Sequence, residues 1–319
     1  MAAGAPACPK ASCCPQLASL YIGNRVDNNR LERGQGQAMG RFLIWGTVII
    51  LAAVGLYSVL NYNTLSETNV ARNGCSDLDG QAQVDSCTWL LENDTTLDDA
   101  HLASVFLNRA NGFTDIGELD NALVDYSESV SVNPDDFKTY YNRALVYRWK
   151  GDYSKALADH TKSISLFDKH PALFRERAET LYMAQRYEES LPDIKRALKL
   201  DPNNAATLNS MAWTLLTLGR AEEALDYSKR SLENDKEKFS GSLDTYAHVM
   251  AELGRKEEAM NYFLKAARIG DTYYVRGLQE ALIEKGLYDA VPDGILSSAT
   301  RAAIQACVDS NCRLLLETP

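Results

Sequence analysis

Apolar positions in the middle of the chain repeat with two periods at once, the three-to-four spacing of a helix face and a longer period near 34 residues. Small residues stand at Ala110, Ala144, Ala178, Ala212 and Ala247, spaced by 34, 34, 34 and 35. Twelve residues behind each comes a second small series, Ala122, Ala156, Ser190, Ala224 and Ala259, and seven further on a third, Ser129, Ser163, Ala197, Ser231 and Ala266. Phe106, Tyr140, Phe174, Leu208 and Leu243 lie one helical turn before the first series, and Phe113, Tyr147, Leu181, Leu215 and Met250 lie three residues after it. Gly117, Gly151, Gln185, Gly219 and Gly254 punctuate the units, and Pro134 and Pro202 end two of them. Each unit therefore predicts two amphipathic helices joined at a turn. The small residues mark where the helices cross closely and a larger side chain would push the backbones apart.

A different pattern precedes the repeats. From Phe42 to Leu60 the sequence runs 19 residues without a charge. At about 1.5 Å per residue that is long enough to cross a hydrocarbon core of roughly 30 Å, and Trp45 and Tyr57 near its ends suit an interfacial belt. Residues 1–41 carry a net +3 and residues 61–319 a net −13, which predicts a cytosolic amino terminus and an exported carboxyl part. A signal peptide cleaved after a start at Met39 is the alternative. No small-residue cleavage site follows the run, so a retained signal anchor is expected.

Composition narrows the function. Asp plus Glu outnumber Lys plus Arg by 43 to 33, for a net charge of −10 over 319 residues, which argues against nucleic acid as a partner. Of the seven cysteines, Cys8, Cys13 and Cys14 fall on the proposed cytosolic side. Cys75, Cys87, Cys307 and Cys312 form an even, closely spaced set outside, predicting disulfides Cys75–Cys87 and Cys307–Cys312 in an oxidising compartment. Cysteines five apart on one continuous helix cannot be bridged, so the last helix must end between Cys307 and Cys312, and Asp309-Ser310-Asn311 supplies a stop. His101, His160, His170 and His248 are dispersed. No ligand spacing, nucleophile elbow or phosphate loop is present, so the expectation is no enzyme, no metal and no cofactor.

The repeat closely resembles the tetratricopeptide repeat, most clearly in YYNRALVYRWKGDYSKALADHTKSI and LDTYAHVMAELGRKEEAMNYFLKAARI. The resemblance covers about 103–272. It implies a right-handed α-solenoid that binds a protein or peptide on its inner face, along first-helix positions three before, one after, four after and five after the first small residue. Those positions hold Tyr141, Leu145, Arg148 and Trp149 in the second unit, Arg175 and Tyr182 in the third, Asn209 and Trp213 in the fourth and His248 in the fifth. Aromatics and arginines in such places are typical partner anchors. The carboxylate clamp of chaperone-binding repeats is matched at Asn111 and Asn142, but Leu107, Ala172 and Glu176 replace its cations. The segment GCSDLDGQAQVDSCTWLLEN is similar to the cysteine-bearing lead-in of exported alphaproteobacterial repeat proteins.

Residues 278–307 resemble the small peptidoglycan-binding domain at Leu278, Gln279, Leu282, Gly286, Tyr288, Asp293, Gly294, Thr300, Arg301, Ala302 and Ala303. That resemblance implies a glycan-binding region at Tyr288, Asp293, Gly294, Thr300 and Arg301. The alternative is an element that caps the last repeat.

The expected organisation is all-α: a cytosolic disordered tail (1–41), a transmembrane signal anchor (42–60), a linker and helical lead-in (61–102), the solenoid (103–272) and a small helical carboxyl-terminal domain (273–319). The expected role is a scaffold or adaptor, single-pass in a bacterial inner membrane with its bulk in the periplasm, binding a protein partner and, through its end, peptidoglycan. The alternatives are a self-assembling envelope protein, a regulator of a cell-wall enzyme, or a eukaryotic luminal protein glycosylated at Asn93.

Overall fold

A computed structural model of the chain describes residues 67–310 and Cys312. The tail 1–41, the apolar run 42–60 and residues 61–66, Asn311 and 313–319 lie outside the described residues. Among the described residues no helix is long and apolar enough to cross a membrane. They form helices and no strand.

Helix α1 covers 67–77. It is followed by α2 (Gly80–Asn93), α3 (Asp99–Asp115), α4 (Leu119–Val132), α5 (Phe137–Trp149), α6 (Tyr153–Leu166), α7 (Pro171–Met183) and α8 (Tyr187–Leu200). Then come α9 (Ala205–Thr217), α10 (Ala221–Asp235), α11 (Ser240–Glu252), α12 (Lys256–Ile269), α13 (Thr272–Glu284) and α14 (Ser298–Asp309). Helices pair as α3/α4, α5/α6, α7/α8, α9/α10 and α11/α12, and each pair packs on the next, giving an all-α solenoid of five hairpins.

The three small series mark the crossings: all fifteen of their residues are at most 2% exposed. The serines among them also bond. Ser129, Ser163 and Ser231 each donate their hydroxyl, at 2.9 Å, to a carbonyl near the start of the first helix of the same hairpin, at Ala103, Phe137 and Ala205. A hydroxyl in the interior thereby satisfies itself and one backbone acceptor. The hairpin turn recurs in one conformation, with φ of +80° at Gly117, +77° at Gly151, +73° at Gly219 and +74° at Gly254. Gln185 holds the same left-handed position at φ +59°, where a side chain pays the strain that glycine avoids.

A second regularity binds each hairpin internally. Arg109, Arg143 and Arg177 clasp Asp125, Asp159 and Asp193 with two parallel bonds of 2.6–2.9 Å, first helix to second. Each arginine also reaches back to a hydroxyl of the preceding second helix, at Thr88, Ser127 and Thr161. In the last two hairpins the same positions hold Met211 with Tyr227 and Tyr246 with Tyr262, the last two rings 4.7 Å apart. The ionic clasp gives way to apolar packing where the continuous core is largest, from Ala178 to Val308.

The ends are closed differently. Cys75 of α1 and Cys87 of α2 are disulfide-bonded, their Cα atoms 4.7 Å apart, within a small cluster including Leu90 and Val105. Gly112 lets α2 approach α3: a Cβ there would meet the Gly80 carbonyl oxygen at 3.0 Å. At the other end α14 stops at Asp309, the chain turns, and Cys307 bonds to Cys312 with Cα atoms 4.9 Å apart.

The carboxyl-terminal segment, read from sequence as a small domain, adds Leu278, Leu282, Ile304, Cys307 and Val308 to the same core as Leu243, Met250 and Phe263. Helix α13 ends on the hairpin turn used by the repeats, with Gly286 at φ +70°. Seven residues before that glycine, where the repeats place alanine, stands Gln279, fully buried. No second helix follows at once, and the loop 287–297 hangs on Gln279 instead.

Candidate functional site

Three of the nine residues expected on the groove come together in one place. A pocket of about 300 Å³ opens between α7, α9 and α11, with Tyr182, Asn209, Trp213 and Phe239 on its walls. Tyr182, Asn209 and Trp213 are three of the expected groove residues. Its polar lining also includes Glu179, Asp244 and Tyr274 and the hydroxyl residues Ser210, Thr214, Ser240 and Thr245. Its only charged side chains are the two carboxylates.

The aromatic walls are held from behind. Trp213 meets the His248 ring edge-on at 5.3 Å between centroids, and His248 packs in turn on Phe263 at 4.8 Å. His248 is 3% exposed, with Nδ1 2.9 Å from the Asp244 carbonyl and 3.3 Å from its carboxylate. It therefore supports the groove and does not line it. Tyr182 places its hydroxyl 3.0 Å from that of Thr217 on α9. Tyr274 donates to Asp244 at 2.6 Å, tying α13 to the groove; burial, then the negative charge of Asp244, hold that phenol well above its ordinary range. Phe239, just ahead of α11, is 63% exposed at the pocket rim, a large apolar side chain left to solvent.

The remaining expected residues form a strip beside the pocket. Arg148 and Arg175 both pair with Glu176, at 3.0 and 2.8 Å, so neither guanidinium is unpaired. Tyr141 is half-buried near His160, its phenol raised chiefly by burial and by Glu176. Leu145 is half-buried, and Trp149, the last residue of α5, is 56% exposed. Asn111 and Asn142 bond to each other at 2.9 Å.

Glu179 joins strip and pocket. Its carboxyl is held above the ordinary range by burial first, with Arg148 and Arg175 opposing and Glu176 adding to the rise. Glu179 and Asp244 were both legible by the register rule, one after Ala178 and three before Ala247. Phe239 and Tyr274 stand outside that register and carry no such signal.

The expected glycan residues are turned to another use. Gln279 donates to Asp293 at 2.8 Å, Thr300 at 3.1 Å and Tyr288 at 3.3 Å, and accepts from the backbone N–H groups of Asp293 and Gly294 at 2.9 and 2.8 Å. Tyr288 and Thr300 are buried. Arg301 alone of the five lies outside this network, exposed on α14. Among the described residues no group of three or more His, Cys, Asp or Glu is placed to hold a metal ion.

The fold and the register of the groove define an α-solenoid of helical hairpins, and comparison assigns the repeat. Tetratricopeptide-repeat family models match residues 170–237 and 242–269, and a further TPR repeat model matches 110–151, so the chain carries tetratricopeptide repeats. Among solved structures, Pseudomonas aeruginosa pilF is similar at a TM-score of 0.51 and 15% identity, over 65% of this chain and 90% of its own. MamA from Desulfovibrio magneticus RS-1, from residue 41 to its end, is similar at 0.50 and 16% identity, over 55% and 97%. YrrB, a TPR protein with an unusual peptide-binding site, is similar at 0.48 and 22%, over 58% and 93%. At these identities the likeness is one of fold. No curated protein matches the chain.

Proposed function

We propose that this chain is a non-enzymatic interaction scaffold that holds an extended segment of a protein partner along its first helices, with the aromatic pocket between α7, α9 and α11 as the centre of the contact. The observation that carries this reading is the exposed Phe239 facing Trp213 and Tyr182 across a cavity of about 300 Å³, a size that takes one or two side chains. The solenoid is displayed in the periplasm from a single inner-membrane anchor at 42–60. That localisation is supported by the uncharged run, by the charge difference across it, and by two disulfides suited to an oxidising compartment. The carboxyl-terminal helices act as a cap, which their shared core and the internal use of Tyr288 and Thr300 favour over glycan recognition.

The test is photocrosslinking in intact cells from a photoreactive residue at Phe239, compared with the same residue at Val124 on α4, a 61% exposed position away from the pocket. One identified protein captured from Phe239 and not from Val124 is the expected result. Capture of the chain itself from Phe239 would replace this reading with self-assembly, and equal capture from both positions would remove the groove from the function.

A further inference from the structure

The pocket is built unlike a site for an acidic chain end. Its charged lining consists of Glu179 and Asp244, with no lysine, arginine or histidine among its walls. Asp244 is satisfied by the Tyr274 hydroxyl at 2.6 Å. Glu179 is not: among the described residues it makes no hydrogen bond or ion pair, because the nearest cations, Arg148 and Arg175, are already committed to Glu176. Beside it, Asn209 Oδ1 is shut off from solvent and accepts no hydrogen bond. Glu179 thus brings a carboxylate without a donor to a cavity also lined by the rings of Trp213, Tyr182 and Phe239. Aromatic faces and a desolvated carboxylate together favour a cation with an apolar stem, which a carboxylate-bearing ligand would not supply.

We infer that this pocket receives a cationic side chain, arginine or lysine, from the extended partner segment, with its charged head toward Glu179 and Asn209 and its methylenes against Trp213 and Phe239. The inference rests on the groove reading above and names the chemistry of its central contact. The carboxylate of Glu179 meets the charge, beside Asn209 on the pocket wall. Phe239, free at the rim, covers the stem. The polarity is the reverse of a carboxylate clamp, in keeping with the absence of cations at Leu107, Ala172 and Glu176.

The experiment is selection of a random nonapeptide library on the full-length chain, followed by titration of one selected peptide, its citrulline or norleucine analogue at the conserved position, and the Glu179→Gln and Phe239→Ala variants. The expected result is a set of peptides sharing one arginine or lysine. The neutral analogue binds at least about tenfold more weakly, Glu179→Gln costs the parent peptide a similar factor, and the neutral analogue is nearly indifferent to that variant. Both substitutions are at positions that leave the core intact, and unchanged thermal unfolding confirms it. Peptides that need Phe239 but share no cation, or a cation preference that survives Glu179→Gln, would overturn the cation site while leaving the groove. Selection of no peptide, or of peptides indifferent to Phe239→Ala, would overturn both.

Discussion

His160 sits fully buried on α6 with neither ring nitrogen hydrogen-bonded. Burial, and then the charges of Arg148 and Arg177, hold its pKa down to about 3, so the folded protein carries it neutral. The unfolded chain binds a proton there below about pH 6.5, whereas the folded chain does not until about pH 3. Stability from this residue is thus complete above pH 6.5 and falls by about 1.4 kcal/mol per pH unit across that window. Replacing His160 with Phe should flatten the stability curve between pH 6.5 and pH 3 relative to the parent, as urea titrations at successive pH values would report; parallel curves would contradict the assignment. Gln185 offers a simpler case. Its left-handed φ of +59° is shared with four glycines at the equivalent turns, so Gln185→Gly should stabilise the fold by about 0.5–1 kcal/mol, measurable by chemical denaturation. Part of the pocket was legible at this scale because a solenoid repeats the placement of first-helix positions, although His248, at the same register as Trp213, is buried behind it. Asn209, Trp213, Glu179 and Asp244 all obey one register, while Phe239 enters from a loop that the period does not reach.

At the scale of the element, the hairpin is held by small residues at its crossing and by an Arg–Asp clasp at its side. The first was readable as periodicity. The clasp was not, because its partners are sixteen residues apart in the first three hairpins and are replaced by Met211 with Tyr227, and Tyr246 with Tyr262, in the last two. The chain thereby contains its own control. Arg143 and Asp159 keep 15% and 10% of their side-chain surface exposed, so removing one partner strands the other: Arg143→Met should cost on the order of 3 kcal/mol. The double variant Arg143→Met with Asp159→Tyr, copying the fourth hairpin, should recover most of that loss. Equilibrium unfolding of the two single variants and the double closes the cycle, and additive losses would show that the clasp acts as two independent surface charges. The disulfides were legible for a related reason: close spacing and an even number outside the apolar run left few pairings.

For the whole described unit, the core runs on from the last repeats into the carboxyl-terminal helices, and Gln279 shows why that end looks different in sequence. It occupies the alanine position of a further first helix and brings its amide within hydrogen-bond distance of six groups of the loop and the start of α14, seating a loop where the repeats seat a second helix. The motif at Tyr288, Asp293 and Thr300 was visible, but the sequence did not show that Tyr288 and Thr300 face inward, since their contacts with Gln279 span nine and twenty-one residues. Gln279→Leu strands the N–H groups of Asp293 and Gly294 and should cost on the order of 3 kcal/mol, with faster hydrogen exchange over 287–297. Unchanged exchange in that loop would detach Gln279 from the cap.

The claim that joins these scales is that first helices, and the pocket between α7, α9 and α11 above all, are where a partner lies. Hydrogen exchange of the full-length chain, with and without a saturating peptide selected on it, tests this directly. Slowed exchange confined to α7, α9, α11 and the Phe239 loop is the predicted result. Protection centred on the second helices or on α14, with those segments unchanged, would contradict it.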